Sequence, residues 1–144
     1  MKKVLTHEIE VPIRFSETDA MGVVWHGNYL KFAEDAREQF GIAYQLHYLD
    51  MFNEGVLTPI VHSELFHKSS LYYGDSAIVK SHFTYLAAAK LKFEFKIYSK
   101  KTGLLAAHGS TTQVFMDQHT RELILHKPVF FEEWEKKQNW LILE

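Results

Sequence analysis

The chain has no cysteine, which removes disulfides, thiolate metal sites and a Cys nucleophile together. Proline and glycine are scarce, three and seven in 144 residues. No Ser/Gly-rich tract, low-complexity run or repeat divides the sequence, so one domain over residues 1–144 is expected, long enough to bury one core. An excess of charge is missing too. The formal net charge is −2, which leaves no global basic field for nucleic acid phosphates and argues against a nucleic acid partner. No apolar run approaches the roughly 18 residues of a membrane span. The opening Met1-Lys2-Lys3-Val4 leads into alternating charged and apolar residues, unlike a signal peptide. A soluble, cytoplasmic protein without membrane insertion is expected. What the chain does have is aromatic: eleven Phe, seven Tyr and three Trp, 15% of residues. Such a surplus suits a sheet packed on a helix, an apolar ligand tunnel or a subunit interface.

Periodicity divides the chain into elements. Residues 4–15 alternate as a first strand, with Val11, Ile13 and Phe15 on one face. A loop follows from Ser16 to Gly22, then the apolar Val23-Val24-Trp25. From Tyr29 the apolar positions Phe32, Ala33, Ala36, Phe40, Ala43 and Tyr44 form one helical stripe, opposite Lys31, Glu34, Asp35 and Glu38. Asn28 suits its N-cap, its side-chain oxygen taking an orphan N–H. The helix should reach about His47, roughly 30 Å in all. Strands are expected at residues 56–67, 77–86, 90–98 and 104–116. The third alternates most cleanly, with Leu91, Phe93, Phe95 and Ile97 against Lys92, Glu94 and Lys96. Residues 128–138 read as a short helix with Pro128 near its first turn. One helix followed by closely spaced strands with short turns is an α+β, antiparallel pattern.

The chemistry concentrates in Arg14-Phe15-Ser16-Glu17-Thr18-Asp19-Ala20-Met21-Gly22-Val23-Val24-Trp25-His26-Gly27-Asn28-Tyr29. A carboxylate stands in a loop just ahead of a long helix. The head of that helix presents unpaired N–H groups and partial positive charge, suited to an oxyanion or an anionic group. Gly27 permits an unusual backbone angle or a close substrate approach. A nearby carboxylate serves as nucleophile or as general base toward water. The bland alternative for Asp19 is the common one of capping a turn.

From Phe15 to Tyr29 this stretch resembles the active-site signature of the 4-hydroxybenzoyl-CoA thioesterase branch of the hotdog superfamily, which includes the acyl-CoA thioesterases of the Tol-Pal gene cluster type. The match runs through Thr18-Asp19, Gly22-Val23-Val24, the aromatic Trp25, His26 and Asn28-Tyr29, and the likeness extends over nearly the whole chain, including the Tyr72-Tyr73-Gly74-Asp75 turn. The resemblance implies a long central helix wrapped by a curved antiparallel sheet. It also implies edge-to-edge dimers, often paired again as a homotetramer, with sites shared across the dimer. Asp19 becomes the catalytic carboxylate, and the backbone N–H near His26 polarises the thioester carbonyl. Trp25, Gly27 and Asn28 contact an acyl-CoA substrate, and no metal or redox cofactor is called for. The His26 side chain itself orients water, binds near the thioester or simply packs, and relatives carrying Tyr there show that imidazole is not essential. Acyl-carrier-protein thioesters, an aromatic acyl-CoA of the menaquinone pathway, and a catalytically silent acyl-CoA-binding module are the alternatives. A hotdog dehydratase would need a different His/Asp arrangement.

Other residues offer weaker signals. Glu17 and Glu64 are possible second carboxylates, whereas Glu34, Asp35 and Glu38 belong to the polar helix face, with Arg37 available to pair with them. Lys68, Ser69, Lys90 and Lys92 are candidate phosphate contacts for coenzyme A, although lysines on a solvated strand face account for them equally. His62 and His67, five apart, point to opposite faces of a regular strand, and His82 and His108 lack a partner at metal-ligand spacing, so no metal is expected. Phe32, Phe40, Tyr44, Phe66, Tyr72 and Tyr73 read as core.

Overall fold

A computed structural model describes residues 1–144. In chain order the elements are β1 (Lys2–Pro12), a 3-10 turn (Phe15–Glu17), α1 (Asn28–Tyr44), α2 (Tyr48–Asn53), β2 (Val56–Leu57), β3 (Ile60–His67), β4 (Ser76–Thr84), β5 (Lys90–Ser99), β6 (Leu105–Asp117), β7 (Leu123–Ile124), α3 (Val129–Lys136) and β8 (Leu141–Leu143). Every pairing is antiparallel, and the main order is β3-β6-β5-β4-β1-β8, with β2 and β7 added at the far end of β6.

The alternation of β4 and β5 sends one row of side chains inward. Val79, Ser81 and Phe83 are buried from β4, and Leu91, Phe93, Phe95 and Ile97 from β5. Against this face lies the apolar stripe of α1, with Tyr29, Phe32, Ala33, Ala36 and Phe40 buried. The Phe40 ring stands 5.1 Å from Phe93 and 5.6 Å from Phe83, both ordinary aromatic packing distances. A free helix of this length is marginal in water, so this packing holds it. The result is the hotdog arrangement, a central helix wrapped by an antiparallel sheet.

The C-terminal segment closes the core on its own subunit. The Phe83 ring meets Trp134 at 5.6 Å and Trp140 at 6.1 Å, and Trp134 Nε1 donates to the Tyr44 carbonyl at 2.7 Å. α3 starts after Pro128, as its sequence suggests. β8 then pairs with Lys2, Lys3 and Val4 of β1.

Several expectations are corrected. Asn28 is not the N-cap: α1 begins at Asn28 itself, after Gly27, and the Asn28 side chain donates to the Glu17 carbonyl at 2.8 Å. α1 stops at Tyr44 because Gln45 turns left-handed (φ 59°) and Leu46 N–H returns to the Gly41 carbonyl at 2.7 Å. A Cβ on residue 41 would meet the Leu46 carbonyl oxygen at 2.8 Å, so only glycine permits this close return. The unforeseen α2 is capped by His47, whose Nδ1 accepts the Leu49 N–H while Asp50 accepts the His47 N–H. The expected strand at 56–67 is broken at Thr58-Pro59 into β2 and β3. Phe15 does not share a strand face with Ile13; the strand ends at Pro12, and Phe15 is 75% exposed on the 3-10 turn. Phe66, Tyr72 and Tyr73 are exposed as well, not core.

Candidate active site

The segment between the 3-10 turn and α1 folds as a small hairpin. Thr18 bridges Val24, and Asp19 N–H donates to the Val23 carbonyl at 2.9 Å. At the tip, Gly22 N–H returns to the Asp19 carbonyl at 3.0 Å, with Gly22 at φ +79°, a value that favours glycine. The hairpin is fastened to the body by Val24 N–H on the Leu71 carbonyl at 2.8 Å and by a Val23–Tyr72 bridge. Asp19 is half-buried at this tip. Its Oδ1 accepts the Met21 N–H at 2.8 Å, and no protein group bonds Oδ2. The turn-capping use of Asp is therefore real here, yet it occupies only one carboxylate oxygen.

Glu17 fastens the base of the hairpin to α1. It is 3% exposed, accepts the Arg14 N–H at 2.6 Å and pairs with Lys31 at 3.1 Å. Its backbone carbonyl takes Trp25 N–H at 2.9 Å and the Asn28 side chain at 2.8 Å. With both oxygens engaged, Glu17 acts as a brace. Glu64 is equally far from the role of second carboxylate. It shares its strand face with His62 (3.7 Å) and with Ser110 of β6, whereas His67, three residues on, turns to the helix side.

At the head of α1 the chain leaves two donors free. Asn28 N–H goes to the Trp25 carbonyl at 2.9 Å, but the N–H groups of His26 and Gly27 meet no backbone acceptor. They lie at the positive end of a 17-residue helix. The Trp25 indole, half exposed, lies over Gly27 so closely that a Cβ there would come within 2.1 Å of its ring. Trp25, His26, Gly27 and Asn28 thus form one contiguous wall.

Two residues join this wall that the sequence did not single out for it. His67, at the end of β3, has its ring 5.0 Å from Tyr29 and 6.5 Å from His26, edge-on to both. Burial raises the Tyr29 hydroxyl pKa, and the adjacent Leu71 backbone pulls it the other way. The only sequence signal for His67 was its face on the strand; its meeting with Tyr29 depends on long-range packing. No group of three or more His, Asp or Glu side chains at metal-binding proximity is present.

The candidate phosphate contacts separate. Lys68 follows β3 directly after His67, and its N–H is tied to Ala106. Lys90 opens β5 opposite Val114. Since His67 pairs with Ala107, seven residues of β6 separate the two levels, about 23 Å along the strand. One subunit does not bring Lys68 and Lys90 together. The Ser69 hydroxyl is used on the Leu105 carbonyl at 2.9 Å, and Lys92 lies 4.0 Å from Glu94.

Known proteins resemble this chain in sequence and fold. Residues 13–138 match the thioesterase-like superfamily. The chain is 30% identical over 121 residues to YneP of Bacillus subtilis, provisionally named an acyl-CoA thioesterase, covering 84% of this chain and 87% of the relative. It is 33% identical over 118 residues to a 1,4-dihydroxy-2-naphthoyl-CoA hydrolase of Rippkaea orientalis, covering 76% and 81%. Among solved structures, the DHNA-CoA thioesterase of Staphylococcus aureus superposes with a TM-score of 0.77 at 29% identity, over 92% of this chain and 89% of that one. This chain belongs to the thioesterase-like superfamily and is a hotdog-fold thioester hydrolase.

Proposed function

We propose that the protein hydrolyses acyl-CoA thioesters to a carboxylate and free coenzyme A, with Asp19 as the catalytic carboxylate. The observation that carries this reading is that two N–H donors, on His26 and Gly27, are left without a backbone acceptor at the head of α1, and that the hairpin leading into that helix carries a carboxylate, Asp19, with one oxygen free. The donors polarise the thioester carbonyl and hold the charge that grows on its oxygen. Donors of this kind are worth about 3–4 kcal/mol in other enzymes. Asp19 then acts in one of two ways. As nucleophile it forms a mixed anhydride and expels the coenzyme A thiolate, and water cleaves the anhydride. As general base it takes a proton from the water that attacks the carbonyl. Trp25, Gly27 and Asn28 border the reacting group, His26 contributes mainly through its backbone, and Lys68 and Lys90 are phosphate contacts on different copies. The motif from Phe15 to Tyr29 supports placement in the 4-hydroxybenzoyl-CoA and Tol-Pal-type branch. The names of the R. orientalis and S. aureus relatives support an aromatic acyl group as a second reading of the substrate.

The working unit in this proposal is a homo-oligomer. β3 pairs only with β6, and its outer edge carries exposed Val61 and Phe66. An unpaired apolar edge invites a strand, and a second copy across a two-fold axis supplies one. Two such dimers then pair as a tetramer. The cytoplasm is the proposed location; no helix is long and apolar enough to cross a membrane.

The test is thiol release from a panel of aliphatic and aromatic acyl-CoAs, followed with a thiol-reactive dye to which this cysteine-free protein adds no background. Turnover of at least one ester is expected. Saturable coenzyme A binding with no turnover on any ester, carrier-protein thioesters included, would instead establish a silent binding module.

A further inference from the structure

Of the nine histidines, two meet at the head of α1 with their ring nitrogens free. Elsewhere the rings have other company. His47 accepts the Leu49 N–H and faces Glu38 at 3.9 Å, His62 faces Glu64 at 3.7 Å, and His108 lies flat against Phe66 at 5.1 Å. His26 and His67 are both exposed, with ring centroids 6.5 Å apart and planes nearly perpendicular. Neither ring is hydrogen-bonded or ion-paired to protein. His26 packs on its chain neighbour Trp25 at 4.9 Å. His67 arrives from a different element, the end of β3, and stands edge-on to Tyr29 of the first helical turn at 5.0 Å. Thioester cleavage at this helix head needs a third group. The His26 and Gly27 N–H donors serve the carbonyl oxygen and Asp19 serves the attack, which leaves the departing sulfur without a proton donor. Tyr29 is unsuited to that task, because burial raises its hydroxyl pKa and holds the proton on. Lys31 is engaged by Glu17 at 3.1 Å. Histidine is the side chain that gains and loses a proton near neutral pH.

Resting on the acyl-CoA reading, we propose that His67 is a further catalytic residue, the general acid that protonates the sulfur as coenzyme A departs. When the tetrahedral adduct collapses, the C–S bond breaks and its electron pair goes to sulfur. The imidazolium N–H passes its proton to that sulfur, and the free thiol leaves. Neutral imidazole then takes a proton back from solvent, which balances the proton that water gives up in either of the two Asp19 routes. The donors, the carboxylate and His67 all belong to one chain. Edge-on packing against Tyr29 asks only for an aromatic ring, which phenylalanine supplies equally well. Proton transfer asks for the imidazole itself, and that difference separates the two uses of the residue.

The test is kcat and KM on the best acyl-CoA ester of the panel for wild type, His67→Phe and His67→Ala, each checked for a cooperative melt. Both variants should lose about 10²-fold in kcat, the low end for a positioned proton donor because a thiolate already leaves fairly well. KM should stay within a factor of a few. Added imidazole should restore His67→Ala saturably, above the rate of imidazole with ester alone. It should not restore His67→Phe, whose ring fills the space. His67→Phe decides by itself if His67→Ala does not fold. Near wild-type kcat in His67→Phe reduces the residue to packing and overturns the proposal. A loss in both variants that imidazole leaves untouched, or a loss carried by KM, overturns it as well. Absence of wild-type turnover on every ester refutes the hydrolase reading and this role with it, whereas turnover indifferent to His67→Phe refutes the role alone.

Discussion

At the scale of single residues, the two carboxylates of the Phe15–Tyr29 stretch do different work. Glu17 has both oxygens engaged in a buried setting, by Arg14 N–H and by Lys31. Glu17→Ala should therefore lower stability by roughly 1–3 kcal/mol in urea titration, the scale for stranding buried polar partners. Loss of turnover without loss of stability would make it a catalytic group instead. Asp19 could be singled out as a candidate from sequence because its signature is contiguous: the residues around it, and the head of the helix, are neighbours in the chain. The brace role of Glu17 could not, since it depends on Lys31 and Asn28 folding back over it. His67 lies further from reach still, 38 residues along the chain from Tyr29 and in contact only once β3 is docked. Asp75 offers a test by pH. Burial pushes its pKa up, but the Ser99 hydroxyl, the Ser76 and Lys101 N–H groups and the Lys101 charge outweigh this, and the net shift is downward. A depressed carboxylate contributes stability above its unfolded pKa and loses it as pH falls. Asp75→Asn should thus lower Tm at pH 7, with the deficit shrinking as melts are repeated from about pH 4 downward. A deficit independent of pH would mean that shape, not charge, is what the Tyr72–Asp75 turn needs.

Among the elements, long strands and the central helix were readable because their faces are periodic. β5 buries each residue its alternation assigned inward. Elements made by contacts with distant partners were not readable. α2 is six residues held by a His47 cap, a residue type rarely used so. β7 and β8 are two and three residues that exist because β6 and β1 offer an edge. The break between β2 and β3 leaves the Thr58 carbonyl to Gln113, a side chain 55 residues away. The β3–β6 ladder depends on Gly109: a Cβ there would meet the Glu64 carbonyl oxygen at 2.0 Å and the Leu65 side chain at 2.7 Å. Gly109→Ala should destabilise by about 1–3 kcal/mol, as overpacking does, and hydrogen exchange should speed up first in β3. Unchanged protection there would show that the strand shifts freely.

For the whole molecule, the sheet order fixes what the surface must do. β8 caps one edge as a short strand, whereas β3 leaves eight residues open at the other. Local periodicity carries no information on strand order, which is why the open edge appears only in the folded chain. In an antiparallel ladder neighbouring residues alternately face the partner and face away, so either Ser63 or Glu64 presents its N–H outward. Proline at that outward position should break the proposed β3–β3 pairing and lower the mass in sedimentation equilibrium, with a substantial loss of turnover if sites are shared. A fully active monomer would remove the shared-site account.

The claim on which the rest depends is that Asp19 and the head of α1 together cleave a thioester. The direct test is kcat/KM for coenzyme A release by wild type and Asp19→Ala on the best ester of the panel, with melts to show both are folded. A fall of about 10²-fold or more in the variant is the expected result, at or above the usual worth of a positioned acid–base group. Turnover within a factor of a few of wild type would contradict the assignment and leave Asp19 with only its turn to cap.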